Sequence, residues 1–258
     1  MSTEAIKVTS TLTSPAAEVR HIGLTEPFGW LADGVRSFAS APGASLLYGA
    51  LFALAAAGTT YLSWTLPGFT VAFLTGLLLI GPLLAAGLYV AARQQGNGEP
   101  VSIPAAIRHL STRSANLGLF AIFLALIMAA WVRLSALLFA IKFNTVFISV
   151  DGYKSILAGT GDPVAVAYFV LIGFALALTV FITSAVAIPM IVDRDCGPFT
   201  AIQTSARAFV KNWPAMLVWA ALIVTLTGIG IFTYFVGMLV LFPVLGYATW
   251  HSYKALVK

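Results

Sequence analysis

The sequence predicts an all-α polytopic membrane helical bundle: six transmembrane helices forming three hairpins, each hairpin preceded by a short cytoplasmic interfacial helix. Three observations lead there. Hydrophobic residues make up 60% of the 258 positions and charged residues only 9%, with a mean hydropathy of +0.95, whereas a soluble domain carries about 25% charge. The stretches from Ser37 to Ala92 and from Asn212 to Tyr253 contain no Asp, Glu, Lys or Arg, and each is about twice, or more than twice, the roughly 20 apolar residues that cross a bilayer. Each must therefore hold two crossings. Two further uncharged runs, Ser114–Val132 and Pro163–Val192, supply one crossing each.

Taken in order, residues 1–26 are rich in Ser, Thr, Ala and Glu and lack the apolar core of a signal peptide. They are expected to form a disordered cytoplasmic tail ahead of a six-span membrane domain at 27–258. The spans are placed at Ala44–Ser63, Phe69–Ala91, Asn116–Phe139, Val164–Val192, Trp213–Phe232 and Thr233–Trp250. Before each odd-numbered span lies a short amphipathic segment that opens on a proline, the residue whose missing N–H is harmless at a helix start. These segments are Pro27–Ala41, Pro100–Arg113 and Pro198–Lys211. Their apolar stripes are Trp30, Leu31, Val35 and Phe38; then Ile103, Ile107 and Leu110; then Phe199, Ile202, Ala206 and Phe209. Arg36, Arg108 and Arg207 follow the opening prolines by eight or nine residues. Segments so short and polar suit the headgroup boundary. Each even-numbered span carries a proline towards its cytoplasmic half, at Pro82, Pro189 and Pro243, so the unit of interfacial helix plus hairpin reads as three copies.

Basic residues orient the chain. Lys7, Arg20, Arg36, Arg93, Arg108, Arg113, Arg194, Arg207, Lys211, Lys254 and Lys258 fall on one side of the predicted spans, eleven in all. Only Lys142 and Lys154 fall on the other, with Arg133 late in span 3. The positive-inside rule places both termini in the cytoplasm of a bacterial inner membrane. The net charge of +5 is thus topology information: no basic run with interleaved aromatics exists, and a nucleic-acid partner is not expected. The expected partners are the lipid bilayer and a membrane protein or further copies of this chain.

Chemistry-bearing motifs are sparse. His21, His109 and His251 all lie outside the spans or at their edge, so axial ligands for haem are missing from the membrane interior. No H-E-x-x-H, C-x-x-C, G-x-S-x-G or P-loop pattern occurs, and no cofactor, metal or catalytic residue is expected. Gly159-Thr160-Gly161-Asp162 matches the G-x-G-D pattern of intramembrane aspartyl proteases. That chemistry needs two facing carboxylates, and here Asp162 precedes Pro163 as an ordinary helix cap would. The residues singled out for a functional role are six. Arg133 is the charge closest to the membrane interior, where its stem can snorkel to the headgroups. Asp193 and Arg194 close span 4. Pro82, Pro189 and Pro243 can kink three helices around a cavity or serve packing. Cys196 is the lone cysteine, on the cytoplasmic side, and no disulfide is expected within the chain.

The cluster Gly81-Pro82 through Gly87-Leu88-Tyr89 and the exit Pro189-Met190-Ile191-Val192-Asp193-Arg194 form one half of a recognisable set. The run Pro243 through Ala248-Thr249-Trp250-His251 and the entry Phe28-Gly29-Trp30-Leu31 complete it. Together they resemble the bacterial integral-membrane family termed domain of unknown function 2189. That resemblance implies a six-span inner-membrane protein and brings no activity, substrate or catalytic residue. Some members carry a cytochrome-oxidase label. Without histidines in its spans, this chain is not a haem–copper subunit and retains at most an accessory role. A non-enzymatic accessory, assembly or membrane-organising protein is the expected function, and a transporter or channel for a small or apolar solute is the alternative.

Overall fold

The computed structural model describes residues 17–65, 70–143 and 163–258. Apart from one antiparallel bridge between Val19 and Val257, the regular structure of these residues is helical. The helices are α1 (Glu26–Ser40), α2 (Pro42–Thr65), α3 (Thr70–Gly96), α4 (Ile103–Thr112), α5 (Ser114–Phe143), α6 (Pro163–Ser184), α7 (Ala187–Arg194), α8 (Pro198–Lys211), α9 (Trp213–Phe232) and α10 (Met238–Leu256). The turn Gly159–Asp162, the expected Asp162 cap and the basic residue Lys154 lie outside the described residues, as do the first 16 residues of the expected tail.

Among the described residues, four segments are long and apolar enough to cross a membrane: Pro42–Ser63, Ser114–Leu134, Val170–Arg194 and Trp213–Phe232. Their surfaces are apolar where a water-soluble helix would be polar; Leu54 and Val224 are each 70% exposed. Such extended exposed apolar faces need a hydrocarbon surrounding. The remaining two predicted spans correspond to α3 and α10, of 27 and 19 residues. α10 starts at Met238, later than the expected Thr233, because the chain first turns through Tyr234 and Phe235 at φ 50° and 66°. The Thr233 hydroxyl accepts the Gly237 N–H there at 2.9 Å.

The fourth predicted span is broken. α6 stops at Ser184 and α7 begins at Ala187, for the reason proline breaks any helix: Pro189 has no N–H to donate, and its ring crowds the carbonyl four residues earlier. Apolar surroundings demand that the freed backbone groups find partners within the protein. At the break the pair that loses its helical bond is Val186 N–H and Ile182 C=O, and Ser205 of α8 bridges it, its hydroxyl donating to the Ile182 carbonyl at 2.7 Å and accepting from the Val186 N–H at 3.2 Å.

The buried core gathers at one end of the bundle. It is built from residues 85–92 of α3, all of α7 but its last two residues, and the second half of α10. These three helices touch one another, and α2, α5 and α9 pack outside them against α3, α6 and α10 respectively. The short helices cover the same end in a regular way: α4 lies on α3, α8 on α6 and α7, and α1 on α10. α4 and α8 therefore pack on the helix pair that precedes each in sequence, and α1, the first helix of the described residues, closes onto the last. Gly34 makes that closure possible. A Cβ there would stand 2.6 Å from the Val244 carbonyl oxygen and 3.0 Å from the Ala248 nitrogen. Trp30 of α1 is buried edge-on against Trp219 of α9, with ring centres 5.8 Å apart.

The three expected interfacial helices form close to their predicted bounds, and Arg36, Arg108 and Arg207 are all exposed. The buried face of α8 is Thr200, Ala201, Thr204, Ser205 and Ala208. Of the predicted stripe, Phe199 is exposed, Ala206 is half-buried, and Ile202 and Phe209 are half-buried against the core, with the Phe209 ring edge-on to Phe181 at 6.2 Å. Small side chains let α8 come close enough for Ser205 to reach the break between α6 and α7. Residues 17–25 fall within the expected tail and have ordered partners. Arg20 N–H donates to the Leu256 carbonyl at 2.8 Å, and Asn212 accepts from Ile22 N–H at 2.9 Å and donates to the Arg20 carbonyl at 3.0 Å.

Candidate functional site

The C-terminal ends of α3, α7 and α10 meet at the core end of the bundle. A helix C-terminus leaves carbonyls unpaired and carries the negative end of the helix dipole, so cations are favoured there. The last turns of α3, α7 and α10 hold Arg93, Arg194 and Lys254. Asp193 sits among them with its side chain only 14% exposed.

Its carboxylate is fully engaged. Oδ1 pairs with Nε of Arg93 at 3.3 Å. Oδ2 accepts from the Tyr253 hydroxyl at 2.8 Å and from Nζ of Lys254 at 3.3 Å. One side chain of α7 thus binds α3 and α10 together. Arg194 Nε donates to the Tyr253 oxygen at 2.9 Å, so that hydroxyl gives its proton to Asp193 and receives one from the neighbouring residue. Burial, and then the hydrogen bond to Asp193, hold the Tyr253 hydroxyl well above the usual tyrosine range. It is a fixed donor and offers no proton for exchange near neutral pH.

The short helix α4 is tied to the same point. His109 Nε2 lies 2.8 Å from the Val192 carbonyl, which can only accept, so the hydrogen is on Nε2. That bond satisfies a carbonyl in the last turn of α7. The other ring nitrogen faces Arg93 Nη1 at 3.5 Å. Asp195, the left-handed cap of α7 at φ 51°, pairs through Oδ2 with Arg113 Nη1 at 3.2 Å and through Oδ1 accepts from Asn116 at 3.2 Å. Asp193, Arg194 and Asp195 together therefore join α7 to α3, α10 and the α4–α5 junction. Cys196 follows, half-buried, with its thiol pushed up by burial to about 11.

A second polar contact lies where α1 crosses α10. Ser37 Oγ and His251 Nε2 are 2.9 Å apart, and the Ser37 carbonyl accepts from Gln95 Nε2 at 3.0 Å. Asp33, one turn before Ser37, is held by Arg36 at 2.7 Å. Deeper in the bundle Ser45 and Tyr247 hydroxyls meet at 3.0 Å.

Of the six residues singled out from sequence, the structure brings Asp193 and Arg194 together in this cluster. Pro189 and Pro243 are buried just inside it, in α7 and α10. Pro82 is in α3, its side chain outside the described residues. Arg133 is elsewhere, exposed on α5. Sequence reasoning missed Arg93, His109, Tyr253 and Lys254. The signal available for them was position: Arg93, Tyr253 and Lys254 are polar and lie just beyond the ends of predicted spans, and His109 lies in the second predicted interfacial segment. Among the described residues no three His, Cys, Asp or Glu side chains are grouped to hold a metal ion.

Residues 70–193 match the model of a family described as predicted integral membrane protein (DUF2189). The matched stretch runs from the start of α3 to Asp193, and takes in the Gly81–Tyr89 and Pro189–Asp193 motifs on which the resemblance was drawn. The Phe28–Leu31 and Pro243–His251 motifs lie outside it. No curated protein and no solved structure matches the chain.

Proposed function

We propose that this chain, similar over residues 70–193 to a family of predicted integral membrane proteins, is a non-enzymatic organising or accessory protein of the bacterial inner membrane. In this reading α2, α3, α5, α6 with α7, α9 and α10 make six crossings in three hairpins. The termini and the three short helices face the cytoplasm. The contact of α4 and α8 with the helix pair preceding each, the closure of α1 onto α10, and the eleven basic residues on one side support that arrangement.

The observation that carries the functional reading is the use made of polar groups where the helix ends converge. Asp193 accepts from three donors on two other helices, Tyr253 is held at both ends, and Ser205 is consumed by the helix break. Around Pro189 and Pro243 the side chains of residues 186–192 and 243–248 are packed and, Leu245 excepted, buried. A transporter needs groups free to exchange partners near the middle of the membrane; these are committed to holding helices together. The test is twofold. Reconstituted protein should give no flux of ions or small solutes above empty vesicles, and purification in mild detergent should retain a membrane-protein partner or a homo-oligomer. Protein-dependent solute flux abolished by Asp193→Asn would establish the transport alternative.

A further inference from the structure

α8 presents an outward face on which Phe199, Gln203, Arg207 and Val210 follow one another at helical spacing, all exposed. The N-terminal segment runs beside this helix, fixed by Lys211 Nζ donating to the Val19 carbonyl at 2.7 Å. Between them lies an open groove of about 710 Å³ whose walls include Val19, Ala206 and Val210 and whose rim carries Arg207, Lys211 and Glu18. Among the described residues Arg207 has no hydrogen-bond or ion-pair partner, and Lys211 has ammonium hydrogens beyond the one given to Val19. Glu18 is already neutralised by Lys258 at 2.6 Å, an ion pair that holds its carboxyl below the usual range. The groove therefore shows a net positive rim above an apolar wall.

We propose that this groove binds the phosphate headgroup of an anionic glycerophospholipid. Arg207 and Lys211 take the phosphate, and an acyl chain lies over Val210 and Phe199. A free anion would be served by the two cations alone. The exposed valine and phenylalanine on the same face, 71% and 65% accessible, fit a ligand with an apolar body joined to its charge. A guanidinium suits this task because its fixed fork of N–H groups matches phosphate oxygens, and helices of this composition lie in the headgroup layer. The inference rests on the membrane reading proposed above.

The experiment titrates full-length protein in mild detergent with phosphatidylglycerol, and separately with phosphatidylcholine, reading bound lipid by native mass spectrometry. Phosphatidylglycerol should bind in preference, and Arg207→Gln should weaken it about fivefold, the effect expected of one basic side chain at a membrane surface. Arg207→Lys should recover most of the loss, and Arg36→Gln, on a helix where the arginine is already paired with Asp33, should leave binding unchanged. Equal binding of the two lipids, or an Arg207→Gln protein indistinguishable from the parent, would overturn the site. Displacement of the lipid by millimolar inorganic phosphate would also overturn it, in favour of a free-phosphate site; an acidic peptide displacing the lipid would point to a protein partner instead. Sidedness plays no part in a detergent titration. A topology opposite to the one proposed would thus leave this result standing, and failure at Arg207 would leave the topology standing.

Discussion

Replacing Asp193 by asparagine preserves size and an acceptor oxygen and removes one charge. The parent carboxylate holds Arg93 at 3.3 Å, Lys254 at 3.3 Å and the Tyr253 hydroxyl at 2.8 Å. Breaking a fully buried ion pair costs about 3–5 kcal/mol, whereas an exposed pair contributes about 0–1 kcal/mol. Asp193 is 14% exposed but Arg93 is 37% and Lys254 52% exposed, so water relieves much of the loss. The Tyr253 bond survives in weaker form, because a hydrogen bond to a charged group contributes about 1.5–3 kcal/mol and a neutral one about 0.5–1.5. Together these place Asp193→Asn near 2 kcal/mol, roughly a 4–8 °C fall in melting temperature for a chain of this size. Lys254→Gln, which removes only the most exposed partner, should cost about 0.5 kcal/mol. The assay is thermal unfolding of the purified protein in mild detergent, followed by tryptophan fluorescence, with Tyr253→Phe and the double variant completing a cycle. Coupling of about 1 kcal/mol between Asp193 and Tyr253 is expected of residues in direct contact. Strictly additive losses, or an Asp193→Asn protein that melts with the parent, would refute the reasoning that one carboxylate binds three helix ends.

Three further outcomes follow from the same geometry. With Cys196 replaced by serine, a cysteine at Asn97 should be protected from an impermeant thiol reagent in intact cells, and cysteines at Asp151 or Gly159 should be labelled; labelling at Asn97 reverses the proposed orientation. Native Cys196 should itself alkylate slowly. With its thiol near 11, only on the order of a thousandth is thiolate at pH 8, and thiolate is the reactive form; the rate should climb about tenfold per pH unit up to that value, and a fast, pH-independent reaction would contradict the burial assigned to it. Gly34→Val should destabilise by about 1–3 kcal/mol, the usual range for overpacking, since its Cβ meets the backbone of α10. Gly29→Val on the same helix, with nothing within 4 Å, should lack that packing cost, and equal losses for the two would remove the close approach of α1 to α10.

Much of the helix layout was legible because its causes are local. Proline marks the entry of α1 and α8 through the shape of its own ring, whereas α4 begins at Ile103 behind the Ser102 cap, with Pro104 in its first turn and the expected Pro100 left outside the helix. The uncharged runs declare their environment through composition alone. The break at Pro189 was legible as a kink, but its repair was not: Ser205 is one serine among many until α8 is laid against α6. The α8 stripe, of which Ile202 and Phe209 pack on the core and Phe199 does not, did not reveal the most buried face for a related reason. Hydrophobic periodicity separates an apolar side from a polar one, and in a membrane protein lipid and protein core are both apolar. Small polar Thr200, Thr204 and Ser205 went inward because they permit close packing, and Phe199 stayed outside. Likewise the charge pattern placed Asp193 and Arg194 at a helix end, yet the partner Arg93 lies 100 positions earlier and Tyr253 60 later, separations that no local pattern reports.

The arrangement of the short helices explains why the polar cluster sits where it does. α4 and α8 each cover the helix pair before them, and α1 covers the last, so short helices flank the three central helices at that end. The three converging C-termini bring unpaired carbonyls and aligned dipoles together, a negative field that the remaining water relieves only in part. Arg93, Arg194 and Lys254 answer that field, but three cations without a counter-charge would repel in turn. Asp193 supplies the counter-charge from the short helix α7, and its carboxylate reaches both neighbours, Arg93 of α3 and Tyr253 and Lys254 of α10.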